Sequence, residues 1–193
     1  RKSIKTYPKI KTTDVLEILK ICKKEKVDLV DVAQDNAVEV GLVSKLNEIG
    51  ISVVGPTKES GQIEWDKAWS RSFMKRYKIP SPSFKICFSE DEGEKFIKSF
   101  KNQKWVIKAS GLAEGKGVIV AKNKKEASAA IKEMKNFKNA GKTFLIEQFL
   151  DGEEFSSYAV SDGKNFRFIA NAQDYKRAFD GDIGSNTGGM GCI

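Results

Sequence analysis

Apolar residues recur at helical and strand spacings in alternation, and the rhythm changes near residue 80. Between residues 14 and 25, Val15, Ile18, Leu19 and Cys22 fall on one helical face, behind Asp14 and Glu17 at capping-box spacing. VDLVDVA (27–33) is an apolar run of strand length. Residues 38–50 place Leu42, Val43, Leu46 and Ile49 on a stripe that stops at Gly50, and ISVVG (51–55) is a second buried-strand run. Helix, strand, helix, strand predicts a parallel sheet covered by helices. GPT (55–57) breaks this order. Residues 63–80 then predict one helix that turns Trp65, Ala68, Trp69, Phe73 and Tyr77 inward and stops before Pro80.

The second half predicts a small α+β module. SFKICF (83–88) is a strand, and residues 89–100 are a helix opened by Ser89 with Glu92 three residues on. WVIKA (105–109) and GVIVAK (117–122) are strands, residues 125–137 a helix with Ala127, Ala130, Ile131 and Met134 on one face, and TFLIEQFL (143–150) a strand. Residues 154–173 predict a hairpin turning at Asp162-Gly163. DGDIGSNTGGMG (180–191) carries no helix or strand signal and is expected to be loop.

Composition narrows the class. The 193 residues are 40% hydrophobic and 31% charged, enough for a core in one large or two small domains. No apolar run reaches membrane-spanning length, and residues 1–10 lack the apolar stretch of a signal peptide. The three cysteines, Cys22, Cys87 and Cys192, are far apart, and the chain has no His. That disfavours disulfide frameworks and Cys/His zinc sites and fits a reducing cytoplasm. The net charge of +8 suits anionic metabolites or nucleic acid. The lysines are spread along the chain without a basic, aromatic-interleaved stretch, so a lysine-rich surface is expected rather than nucleic-acid binding.

The stretch KASGLAEGKGVIV (108–120) points to phosphate. It is not a Walker A loop, since Gly111 and Gly115 bracket three residues and Gly117 follows Lys116 where Ser or Thr is required. Nor is it a dinucleotide loop, because a strand follows it instead of a helix. A hairpin tip remains. Such a tip either folds over an anion with its backbone N–H groups or is an ordinary flexible turn. Lys108 ends the incoming strand. Further on, FLIEQFLDGEE (144–154) is an apolar strand ending in an acid, then two apolar residues, then paired acids. A strand end with free backbone groups can read an adenine edge, and a following acid can take ribose hydroxyls.

This combination resembles the ATP-grasp enzymes and, within them, the phosphoribosylamine–glycine ligase (glycinamide ribonucleotide synthetase) family. The segments that carry the resemblance are GPTK (55–58), DKAWSRSFMKRYKIP (66–80), IKASGLAEGKGVIVA (107–121), IEQFLDGEEFS (146–156) and, most specific, QDYKRAFDGDIGSNTGGMG (173–191). The resemblance implies an ATP-grasp α/β fold. Residues 1–56 would be part of a Rossmann-like N-terminal domain and 57–78 an interdomain helix. Residues 79–149 would form the lid, and 150–193 would begin the central subdomain. It further implies that Lys67 and Lys108 touch nucleotide phosphates and that Gly111, Gly115 and Gly117 form the flap over them. Glu147, Gln148 and Leu150 would read adenine, and Glu154, or the neighbouring Glu153, the ribose. Asp174, Lys176, Asp182, Asn186, Thr187, Gly188, Gly189 and Gly191 would hold 5-phosphoribosylamine, with Arg177 a further candidate. Lys108, Asp174 and Lys176 would lie nearest the chemistry.

The implied reaction joins glycine to 5-phosphoribosylamine through glycyl phosphate at the expense of ATP, in purine biosynthesis. Magnesium would be held mainly by residues beyond 193. The alternatives are another ATP-grasp carboxylate–amine ligase and an ATP-binding module without catalysis. Two departures from the family stand out: AQDNAV (33–38) replaces a Gly-Pro-Glu-rich segment, and Tyr175 stands where the family has His. The family's N-terminal glycine-rich loop and its magnesium strand have no counterpart in these residues, so a fragment of a longer protein is expected.

Overall fold

The computed structural model describes residues 4–113, 116–181 and 183–193. Contacts divide the chain into two compact units. The first contains the residues up to Ser81 together with Ser110–Leu112; the second contains Pro82–Ala109 and the chain from Ala113 onward.

The first unit begins with α1 (Val15–Glu25), β1 (Leu29–Asp31), α2 (Asp35–Glu39), α3 (Leu42–Glu48) and β2 (Ser52–Val54). β1 and β2 pair in parallel, as the alternation of elements requires. The core gathers Cys22, Val32, Ala37, Val38, Leu42, Val43, Leu46 and Ile51, with Val15, Ile18 and Leu19 of α1 against it. Two expectations need correction. The helix over 38–50 is two helices, because Gly41 takes φ +80 and no L residue continues a right-handed helix there. The capping box at Asp14 and Glu17 does not form. Asp14 accepts from the Lys11 N–H instead, and Glu17 pairs with Lys20 at 2.6 Å.

The helix expected over 63–80 is also two, α4 (Lys58–Trp65) and α5 (Lys67–Arg76). Asp66 divides them by taking an extended conformation and capping α5, accepting from the Trp69 N–H at 3.1 Å. Trp69, Phe73 and Tyr77 stack along α5 at centroid separations of 5.1 and 4.6 Å. Trp69 and Tyr77 are exposed rather than turned inward.

The second unit opens with β3 (Phe84–Cys87), α6 (Glu90–Lys98), β4 (Trp105–Ala109), β5 (Val118–Ala121) and α7 (Lys124–Glu133). A 3-10 segment, Met134–Gly141, then leads to β6 (Phe144–Gln148). The strands form one antiparallel sheet in the order β3-β6-β4-β5. Both helices start on N-caps: Ser89 accepts from the Glu92 N–H and Asn123 from the Glu126 N–H, while Glu92 and Glu126 accept from the N–H groups of Phe88 and Lys122. They cover one sheet face, burying Ile97, Ala127, Ala130, Ile131 and Met134 against Trp105, Ile107, Phe144 and Ile146. Cys87 lies in this core, and burial pushes its thiol up to about 11, so it stays neutral at physiological pH.

β7 (Ser156–Ser161) and β8 (Phe166–Ala172) form the expected hairpin, with Gly163 at φ +87 in its turn. The glycine-rich tail differs from its expectation. It contains β9 (Arg177–Phe179) and β10 (Ile183–Asn186), paired antiparallel. Residues 187–193 then fold back on 173–176 through hydrogen bonds in both directions between Gln173 and Ile193 and between Tyr175 and residues 190–191. Among the described residues, no helix is long and apolar enough to cross a membrane.

Candidate functional site

The sheet of the second unit has one face free of its helices. The strand register places Phe84, Ile86, Val106, Lys108, Val118, Val120, Leu145 and Glu147 on it. Lys108 and Glu147 are diagonal neighbours across β4 and β6, and the Lys108 Nζ lies 2.7 Å from Glu147 Oε2. The Glu147 side chain is 2% exposed and that of Lys108 23%. A carboxylate so buried requires a countercharge, and Lys108 supplies it while its side chain stays partly exposed.

β4 and β5 are joined by the glycine loop, which is the hairpin its sequence predicts. Its neck is closed by the Ala109 N–H donating to the Gly117 carbonyl at 2.8 Å, and by Lys116 N–H donating to Ala113 at 2.9 Å. A Cβ on Gly117 would come within 2.7 Å of the Ala113 Cβ and 3.1 Å of the Ala109 Cβ. Glycine is therefore needed at Gly117 for space. Beyond β6, Leu150 is 61% exposed, which removes the reading of it as core, and Gln148, Glu153 and Glu154 are exposed as well.

In the first unit, Ser110 sits at the start of α5 and is 5% exposed. Its hydroxyl donates to Asp66 Oδ1 at 2.8 Å and accepts from the Ala68 N–H at 2.9 Å, and its carbonyl accepts from the Lys67 N–H at 2.9 Å. Lys67 is the first helical residue of α5 and is half-buried.

In the tail, Lys176 pairs with Glu154 and lies 3.9 Å from Asp174 Oδ2. The hydrogen bond to Glu154, above all, holds the Lys176 ammonium above its ordinary 10.5. Thr187 is anchored internally: its N–H and hydroxyl both donate to the Lys176 carbonyl, at 2.7 and 2.9 Å, and the hydroxyl accepts from Gly189. Tyr175 and Arg177 face elsewhere. There they line an open cavity of about 520 Å³ with Phe179, Asp180 and Met190. Among the described residues, no three His, Cys, Asp or Glu side chains gather to hold a metal ion.

Two family matches join end to end over this chain. "Phosphoribosylglycinamide synthetase, N domain" matches residues 2–64, and "Phosphoribosylglycinamide synthetase, ATP-grasp (A) domain" matches residues 65–193. The chain belongs to the phosphoribosylglycinamide synthetase family. It is 40% identical over 185 residues to the phosphoribosylamine–glycine ligase of Chlorobaculum tepidum, covering 94% of this chain and 44% of that one. It is 42% identical over 185 residues to the human trifunctional purine biosynthetic protein adenosine-3, covering 94% of this chain and 18% of that one. The crystal structure of the phosphoribosylamine–glycine ligase of Thermotoga maritima matches with a TM-score of 0.67 at 39% identity, over 73% of this chain and 37% of that one. The chain thus spans less than half the length of these relatives, and its fold is ATP-grasp.

Within that family fold, the predicted residues separate into groups. Lys108 and Glu147 meet on one sheet face, and Gly117 closes the hairpin beside them. Glu154, Asp174 and Lys176 meet in the tail, although the sequence assigns Glu154 to the nucleotide and the other two to the acceptor. Thr187 and Gly189 shape the tail by bonding to it, and Gly188 and Gly191 are exposed backbone there. Gly115, Asp182 and the side chain of Asn186 lie outside the described residues. Sequence reasoning passed over Ser110 and Asp66. The only signal was their place inside two quoted motifs, and their contact spans 44 positions, beyond any local periodicity.

Proposed function

We propose that the protein containing this chain joins glycine to 5-phosphoribosylamine, using ATP. What carries the reading is the Lys108–Glu147 pair on one sheet face, with the glycine loop leaving the strand that carries Lys108, in a chain matched along its length by one ligase family. In this reading residues 79–149 act as the lid and 150–193 begin the central subdomain. Lys67 and Lys108 meet the nucleotide phosphates as point charges, and Gly111 and Gly117 let the hairpin backbone approach them. Glu147, Gln148 and the exposed Leu150 read adenine. Glu154, or Glu153, takes the ribose. Asp174, Lys176 and the 187–191 turn hold the acceptor.

The chemistry asks for positioning more than for a protein nucleophile. A glycine carboxylate oxygen attacks the γ-phosphorus, the bond to ADP breaks, and glycyl phosphate forms. The amine of phosphoribosylamine attacks the acyl carbon, phosphate leaves with the former carboxylate oxygen, and the new amide sheds a proton. Closure of the glycine hairpin keeps water from the acyl phosphate. The ammonium groups of Lys67 and Lys108 offset negative charge that develops on the transferred group. Magnesium, which the family resemblance implies, finds no fitting donor set among the described residues. Glu154 and Asp174 there already share the Lys176 ammonium.

Isotope tracing tests this directly. Glycine labelled with 18O in its carboxylate, turned over with ATP and phosphoribosylamine by the full-length gene product, is expected to give inorganic phosphate carrying one 18O. Unlabelled phosphate alongside amide product would rule out glycyl phosphate.

A further inference from the structure

Within the first unit, the start of α5 and the start of the glycine loop are wired to each other. Three N–H groups open α5, those of Lys67, Ala68 and Trp69. All three are satisfied by two residues: Lys67 by the Ser110 carbonyl, Ala68 by the Ser110 hydroxyl, and Trp69 by the Asp66 carboxylate. The Ser110 hydroxyl closes the circuit by donating to that same carboxylate oxygen at 2.8 Å. Ser110 is 5% exposed, so these bonds have little competition from water. The α5 N–H groups are thereby occupied by protein.

The position of this contact in the chain matters as much as its geometry. Asp66 immediately precedes Lys67, and Ser110 immediately precedes Gly111 and follows the Lys108-Ala109 end of β4. One hydroxyl–carboxylate pair therefore sets where Lys67 leaves its helix and where the glycine loop begins. We infer that Asp66 and Ser110 are positioning residues for phosphate binding, a latch that fixes the origin of the loop against the helix start that carries Lys67. This rests on the assignment of Lys67 and the glycine loop to the nucleotide phosphates.

The pair is chemically symmetric. A serine at position 66 can cap Trp69 and donate its proton, and an aspartate at position 110 can accept from it and from the Ala68 N–H. This symmetry gives the test a rescue arm. In the full-length gene product, Ser110→Ala and Asp66→Asn are each expected to weaken ATP binding by about tenfold or more, since lost positioning of phosphate contacts has effects of that order. Adenosine, which lacks phosphates, is expected to bind each variant as it binds the unaltered protein. Ser110→Thr, which keeps the hydroxyl, and the exchange Asp66→Ser with Ser110→Asp are expected to recover ATP affinity.

Unchanged ATP affinity in both single variants overturns the latch. Equal weakening of ATP and adenosine also overturns it, because the pair would then be supporting the fold in general. Should Ser110→Ala fail to fold, Asp66→Asn and the exchanged pair read the same contact. ATP binding that responds as expected, in a protein that does not turn over glycine, leaves the latch standing and removes the ligase reading. Unaltered protein that binds no ATP removes the nucleotide assignment and the latch together.

Discussion

Removing the Lys108 ammonium takes away an ion pair made at 2.7 Å by the Glu147 carboxylate, whose side chain is 2% exposed. Breaking a buried pair from one side costs about 3–5 kcal/mol, whereas removing both charges costs much less. Lys108→Met is therefore expected to lower unfolding stability by about 3 kcal/mol, and Lys108→Met with Glu147→Gln to recover most of that in denaturant titration. ATP affinity should behave differently. It is expected to fall in both variants, because the phosphate contact is absent from each. Recovery of affinity along with stability would mean that Lys108 serves the fold alone. Sequence reasoning named both residues but not their pairing, because a diagonal contact between β4 and β6 depends on a strand register that no local pattern states.

The hairpin of β4 and β5 depends on the space at Gly117. A methyl group there would press on Ala113 and Ala109, and overpacking of this kind costs about 1–3 kcal/mol. Gly117→Ala is expected to shift the loop neck, lower stability by about 1 kcal/mol, and weaken ATP binding while the circular dichroism of the sheet and helices persists. Wild-type ATP affinity in that variant would detach the loop from the nucleotide. The β4–β5 hairpin itself was legible, because glycines between two apolar runs leave few alternatives. So were the helix opened by Ser89 and the parallel pair β1–β2. Two helix breaks were not. Asp66 reads as a surface residue inside a helical stripe, and its bond with Ser110 spans 44 positions in sequence. Gly41 sits inside a stripe that continues on both sides of it. The tail strands were hidden because Ile183 is the lone large apolar residue in Gly181–Gly189, so the pairing of β9 with β10 rests on backbone bonds rather than on alternation.

For the molecule as a whole, the two family matches cover both compact units, and the net charge of +8 favours encounter with anionic nucleotides and phosphosugars. In the proposed reading the tail QDYKRAFDGDIGSNTGGMG takes the acceptor, while the glycine hairpin and the β6 strand end take ATP. In the proposed reaction these two parts would carry different halves, so one assay can weigh them together. ADP release by the full-length gene product would be followed with Mg-ATP, adding glycine and phosphoribosylamine singly and then together. Release that requires both substrates is the expected result. Release with a different acid and amine, but not with this pair, would contradict the proposed reaction while leaving the nucleotide site in place.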